Sequence, residues 1–359
     1  MRSLILSLLC LLQTVDSYKI LVYNPKFGHS HVKFMGSVAD VLASRGHTVV
    51  SLIPDMDPLL EDCTKNTTII RVERSEETGE IVNSLFHNEN INFFAMPLQN
   101  YMLPFTVGPL FTKMFGSMCK TVIETPGLIE RLREEKFDVM INENFDYCGT
   151  GISHLIEAKS LITASSTGLF ENVAEDIGIP YPTSYVPAFF TEAVNENSMW
   201  SRLMNTMNSK LAIYFHNTPK VACQKVFREA YGNDFPDLVD ITARSALLIT
   251  NQEPVLDYAY PTLKKIVDLG GISALEPKPI KEPWLDILSL RPRTVLISFG
   301  SIAKSKTMPD ESKRGILKTI SSMPDITFIW KYEDLNDSFA LTEAPSIDNL
   351  LLTEWMPQN

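Results

Sequence analysis

The side chains in this sequence best suited to moving a proton are His29 and His31, which flank Ser30, and the carboxylate of Glu143. Both histidines belong to Asn24-Pro25-Lys26-Phe27-Gly28-His29-Ser30-His31, between an apolar run at 18–23 and a helical pattern that begins at Val32. That order reads as strand, loop and helix start. A loop at the carboxyl end of a first parallel strand is where doubly wound α/β folds keep their chemistry. A histidine at a helix start lies near the positive end of the macrodipole, which disfavours imidazolium and leaves a ring able to accept a proton. Position alone serves a plain polar capping role equally well, so the chemical reading needs a partner for His31.

The partner comes from a second strand end. An apolar strand at 137–141 runs into Asn142-Glu143-Asn144-Phe145-Asp146. Parallel strands of one sheet point the same way, so the loops holding His31 and Glu143 open on one edge, where a carboxylate can meet an imidazole.

The elements that must position these groups alternate regularly. Residues 32–44 carry two adjoining apolar stripes, as expected for a helix covered on much of its circumference. Arg45-Gly46-His47 ends it, and the β-branched run 48–53 is the second strand of a βαβ unit. His47 belongs to that turn, and no residue type spaced for shared chemistry accompanies His87, His154 or His216 in the sequence, so all four read as structural. Residues 55–106 are less legible. Within them 71–80 reads as a solvated charged segment, and 93–109 as a proline-broken apolar stretch, either a pocket wall or irregular core. A helix is expected from 110 to about 135, then helices at 152–159, 198–214 and 221–231 and strands at 160–163 and 246–250.

Residues 1–17 have the basic, apolar and small-residue regions of a secretory signal peptide, whose core at 4–12 is too short to span a bilayer. No later window reaches membrane-spanning length, and a formal net charge of -11 argues against nucleic acid and anionic membrane surfaces. Cys63, Cys119, Cys148 and Cys223 follow the signal segment without a metal-type or redox-type spacing. Buried thiols are the expectation, and no disulfide connectivity can be read from the spacing. Asn66-Thr67-Thr68 and Asn336-Asp337-Ser338 are sequons for glycans if exposed.

After a first domain at 18–275, the proline-spaced polar stretch 276–289 reads as a linker. A second βαβ unit starts in 290–359, with strands at 294–299 and 326–330 around a helix at 308–323. Gly300-Ser301 is the turn after its first strand, a place where backbone amides can hold an anion.

Ser30-His31 before a helix, Arg45-Gly46-His47 before the second strand, and Phe137-Asp138-Val139 before an acidic loop resemble the UDP-glucuronosyltransferase family, in particular its nematode-like members. The segment 350–359, Leu-Leu-Leu-Thr-Glu-Trp-Met-Pro-Gln-Asn, resembles that family's donor-binding block. The resemblance implies an α/β fold of two facing doubly wound, Rossmann-like GT-B domains, the C-terminal one incomplete at Asn359. It implies His31 as the base that deprotonates the acceptor and Glu143 as its acid, one methylene longer than the family's aspartate, with Asp146 as an alternative. For the donor it implies Gly300, Ser301, Trp355 stacked on uracil, and Gln358.

The implied activity is inverting transfer of a sugar, glucuronic acid or glucose, from a UDP-sugar to a hydroxyl of a small lipophilic acceptor. UDP-sugar is a co-substrate, and neither cofactor nor metal is implied. The expected location is the endoplasmic reticulum lumen, with a membrane anchor in full-length relatives. The alternative is a truncated, non-catalytic chain that binds acceptors or pairs with full-length relatives. A dinucleotide-dependent oxidoreductase is disfavoured, since 24–31 lacks the Gly-x-Gly-x-x-Gly pattern.

Overall fold

The computed structural model describes residues 17–88, 92, 94, 101–274, 277–300 and 303–357. The chain divides into two compact units. One runs to Asn83 and resumes at Tyr101–Ser273, and the other joins Ser84–Asn100 to Ala274–Asn359.

The first unit is built on a seven-stranded parallel sheet ordered β3-β2-β1-β4-β5-β6-β7. Its strands are β1 (Lys19–Tyr23), β2 (Thr48–Asp55), β3 (Thr68–Glu73), β4 (Val139–Glu143), β5 (Ser160–Ser165), β6 (Leu247–Thr250) and β7 (Ile266–Asp268). The helices that carry the site are α1 (His29–Ser44), α2 (Gly108–Glu124), α3 (Cys148–Leu155), α4 (Glu171–Asp176), α5 (Met199–His216) and α6 (Thr218–Tyr231). Strand order reverses between β1 and β4, so the loops after those two strands flank a topological switch point, where such sheets bind ligands.

Local sequence explains why the central elements form. β1 is flanked on both sides in the sheet and buries Ile20, Leu21, Val22 and Tyr23, so it reads as one continuous apolar run. Helix α1 turns Phe34, Met35, Val38 and Ala39 onto Ile20, Val22, Val49, Ile141, Ala164 and Ile249 of the sheet, which makes one core from five strands and a helix. The helix ends where Gly46 takes a φ of 91°, a left-handed turn that returns the chain to β2.

Several expectations change. The helix expected from 110 to 135 is two, Gly108–Glu124 and Leu128–Glu134, because Gly127 adopts a φ of 69° between them. The solvated segment at 71–80 instead contains the end of strand β3 and the start of a helix, Glu76–Phe86. Arg71 on β3 pairs with Asp55 at 3.1 Å and Asp62 at 2.5 Å, so its charge is held rather than free. Cys119 and Cys148 are not thiols but a disulfide with a Cα separation of 5.5 Å, which ties α2 to the start of α3. Much of the stretch read as a pocket wall lies outside the described residues; its remainder holds the short helix Leu103–Thr106. Both sequon asparagines, Asn66 and Asn336, are exposed.

The second unit has a three-stranded parallel sheet ordered β10-β9-β8, made of β8 (Arg293–Ile297), β9 (Ile326–Lys331) and β10 (Leu350–Thr353). Helix α7 (Asp310–Ser321) connects β8 to β9. Trp330 and Tyr332 are fully buried with Phe339 and Leu317 in the core beneath it. Asn349 donates to the carbonyls of Met323 and Ile326 and so fixes the turn into β10.

Candidate active site

The ends of three neighbouring strands place the site. Glu143 is the last residue of β4, Ser166 follows β5 directly, and His31 stands in the first turn of α1, the helix entered from β1. His31 Nδ1 lies 3.4 Å from Glu143 Oε1, so the structure brings together the two residues that the sequence paired. At that distance the direct contact is longer than an ordinary hydrogen bond. The shorter path runs through Ser166, whose Oγ is 2.5 Å from His31 Nδ1 and 3.1 Å from Glu143 Oε1. A hydroxyl has one proton to give. If Ser166 donates it to the carboxylate, it accepts from His31 Nδ1–H, and that tautomer leaves Nε2 with a free lone pair, the state a general base needs.

The surroundings are apolar. The His31 ring packs on Phe27 at 4.5 Å and meets Phe145 edge-on at 5.2 Å, while 15% of its side chain is exposed against 2% for Glu143. The carboxylate is thus withdrawn from solvent while the imidazole remains reachable. His29, the other histidine of the loop, is exposed.

Asp146, the alternative acid, is engaged elsewhere. It is fully buried and accepts hydrogen bonds from the Tyr23 hydroxyl at 2.9 Å and the Cys148 backbone amide at 2.8 Å. Burial pushes its carboxyl up to about 6 against those two bonds, which favour the charged form.

Behind Glu143 lies a pocket whose walls include Phe111, Phe145, Phe170 and Phe215 and whose polar lining includes Asn172 and His216. The His216 ring stacks on Phe170 at 4.5 Å, and burial lowers its pKa to about 4, so it is neutral at neutral pH.

In the second unit Gly300 has a φ of 82°, a conformation that suits glycine at the turn after β8. Its carbonyl accepts from Lys331 Nζ at 2.9 Å, and that ammonium also lies 6.0 Å from the centre of the Trp355 ring. Lys331 therefore gathers two of the residues expected at the donor. Trp355 is 69% exposed. Ser301 and Gln358 lie outside the described residues.

With this geometry in view, the comparison with known proteins is decisive: residues 18–359 match the family described as UDP-glucoronosyl and UDP-glucosyl transferase. The chain belongs to that family. "Putative UDP-glucuronosyltransferase ugt-48" of Caenorhabditis elegans is 28% identical over 369 residues, covering 99% of this chain and 67% of that protein. "UDP-glucosyltransferase 2" of Dactylopius coccus is 24% identical over 369 residues, covering 100% of this chain and 66% of that protein. The chain thus spans about two thirds of the length of these relatives. Among solved structures, the calicheamicin glycosyltransferase CalG4 matches with a TM-score of 0.55 at 15% identity, over 96% of this chain and 72% of that one. That likeness shows the fold, an α/β GT-B glycosyltransferase architecture with Rossmann-like parallel sheets.

For this UDP-glycosyltransferase family member, the sequence did not single out Ser166, Asn172 or Lys331, and His216 read as structural; the structure places Ser166 between His31 and Glu143, Asn172 and His216 in the lining of the adjoining pocket, and Lys331 beside Gly300 and Trp355. Ser166 had a signal. It occupies the first loop position after a parallel strand, on the same sheet edge that drew attention to His31 and Glu143, but the strand was expected to stop at 163 and extends to Ser165. Asn172 and His216 reach the pocket from two helices, and nothing in their spacing marks them.

Proposed function

We propose that this chain supplies the acceptor-activating half of an inverting glycosyltransferase that moves a sugar from a UDP-sugar to a hydroxyl of a small lipophilic acceptor. The observation that carries the reading is the His31–Ser166–Glu143 chain at the carboxyl edge of the sheet, in a member of a UDP-sugar transferase family. The acceptor hydroxyl gives its proton to His31 Nε2 as its oxygen attacks the anomeric carbon. The bond from that carbon to the diphosphate breaks on the opposite face, and UDP leaves with the electron pair. Glu143, through Ser166, compensates the imidazolium that forms. Phe27 and Phe145 beside the imidazole support an apolar acceptor. Gly300, Ser301, Trp355 and Gln358 are the residues proposed to meet the UDP-sugar.

We place the protein in the endoplasmic reticulum lumen. The signal-like segment at 1–17 and the Cys119–Cys148 disulfide support an oxidising compartment.

The test is a product assay on the purified protein, using UDP-glucuronic acid and UDP-glucose with a phenolic acceptor. His31→Ala is expected to lower turnover about 100- to 10,000-fold, the usual worth of a general base. Turnover equal to the unaltered protein's would overturn the assignment.

A further inference from the structure

Glu143 has two oxygens, and only Oε1 is accounted for by His31 and Ser166. Oε2 is buried with no hydrogen-bond partner among the described residues, in a residue only 1% exposed. The same is true of Asn172 Oδ1 and His216 Nδ1, in residues 3% and 7% exposed. These three come from β4, α4 and α5, and all three residues line the pocket behind Glu143. Native proteins leave few buried polar atoms unpaired, and each costs about 1–3 kcal/mol. Asn144, 3% exposed and in the same lining, likewise has Oδ1 and Nδ2 without a partner among the described residues. So many unpaired polar atoms on the residues around one small pocket, three of them from separate elements, point to a shared hydrogen-bonding partner. The space left for water centres is about 20 Å3, which suits a single water and little more.

We propose that one ordered water in this pocket donates to Glu143 Oε2 and Asn172 Oδ1 and accepts from His216 Nδ1–H, making Asn172 and His216 positioning residues for Glu143. Water has the two donors for Glu143 Oε2 and Asn172 Oδ1, and of its two lone pairs one accepts from His216 and the second can accept from Asn144 Nδ2; buried waters commonly make about three such bonds. The consequence reaches His31. With Oε2 held from behind, Oε1 stays on Ser166, and Ser166 stays on Nδ1–H. Burial keeps His216 neutral, with its pKa lowered to about 4, so it offers a hydrogen bond without drawing the carboxylate's charge away from His31.

This inference rests on the reading of His31 as base, but its test uses no turnover. The chain has six histidines, so selective 15N labelling resolves the tautomer of His31 in the whole protein. The unaltered protein is expected to hold His31 as Nδ1–H. Glu143→Ala should shift it toward the Nε2–H form that free imidazole prefers, and so should His216→Phe and Asn172→Leu. His216→Asn should restore Nδ1–H, because its amide can donate from near the place of Nδ1. A role in packing alone predicts the reverse order, since phenylalanine fills the aromatic site better than asparagine does. If His31 keeps Nδ1–H in both His216→Phe and Asn172→Leu while Glu143→Ala loses it, the water-held support is wrong and the His31–Glu143 reading stands. If Glu143→Ala also keeps Nδ1–H, both fall. Should His216→Phe fail to fold, Asn172→Leu decides alone, and a crystal structure showing no water density between Glu143 Oε2 and His216 Nδ1 would overturn the proposal independently.

Discussion

Ser166 Oγ stands 2.5 Å from His31 Nδ1, closer than the 3.4 Å from that nitrogen to Glu143 Oε1, so the imidazole's nearest polar partner is a hydroxyl and not the carboxylate. The longer glutamate arm is thereby accommodated. An acid one methylene longer than an aspartate need not fold back onto the ring when a serine bridges the two. Ser166→Ala is therefore expected to slow transfer about 10- to 100-fold, the worth of one hydrogen bond to a charged group. Ser166→Thr, which keeps the hydroxyl, should recover most of it. Unaltered rates and an unaltered pH profile in Ser166→Ala would mean that the direct His31–Glu143 contact suffices.

Asp146 and His216 tilt stability in opposite directions across one pH window. Burial raises the Asp146 carboxyl to about 6, so its stabilising contribution is full at low pH and is lost as pH climbs from about 4 through about 6. Burial lowers His216 to about 4, so its contribution is present above about 6.5 and is lost as pH falls toward 4. Each shift of about two units corresponds to about 3 kcal/mol. Denaturant titrations from pH 4 to 7 should show a steeper rise of stability with pH in Asp146→Asn and a fall in His216→Leu. Parallel curves for both variants and the unaltered protein would show that neither group titrates differently in the folded and unfolded chains.

The Cys119–Cys148 disulfide closes a loop of 29 residues in sequence, and α3 begins at Cys148 just after the Glu143 turn. Removing it in Cys119→Ala/Cys148→Ala is expected to cost about 3–4 kcal/mol, mostly by freeing the unfolded chain. The measurement is the urea midpoint of the first unit with and without the bridge. A change under about 1 kcal/mol would mean that packing of α2 on α3 already fixes the loop.

What could be read in the sequence follows burial on both sides. β1, β2 and β4 have neighbours on each flank and read as apolar runs, so they and the histidine loop between β1 and α1 were legible. β3 is an edge strand. Its Arg71 and Glu73 answer to charged partners and solvent instead of a core, so the segment looked like a charged loop. The pairing of His31 with Glu143 was legible because parallel strands share an edge. The bridging by Ser166 depended on where β5 stops, and element ends are poorly marked by periodicity. His216 stacks on Phe170 from the last turn of a helix whose pattern says only that some face is covered. The disulfide joins two helices whose contact no local pattern announces.

Two helical glycines test the packing account with opposite signs. Alanine normally stabilises a helix interior by about 0.5–1 kcal/mol over glycine. Gly315 on α7 has open space where a Cβ would go, so Gly315→Ala should raise the stability of the second unit by about that amount. Gly36 on α1 is different, because a Cβ there would stand 2.1 Å from the Cys63 carbonyl oxygen and 2.7 Å from its carbon. Those are backbone atoms, and the loop cannot easily retreat. The Asp40 carboxylate, one helical turn beyond Gly36, accepts from the Thr64 hydroxyl at 2.7 Å and from the Lys65 and Asn66 amides at 3.0 Å, which holds the loop against α1. Overpacking of this kind costs about 1–3 kcal/mol or more. Gly36→Ala should therefore destabilise the first unit, and because α1 carries His31 in its first turn, it should also loosen the Ser166–His31 contact, read as loss of the His31 Nδ1–H tautomer. A stabilised Gly36→Ala protein with that tautomer intact would show that the loop at Cys63 yields freely and that α1 is not clamped from this side.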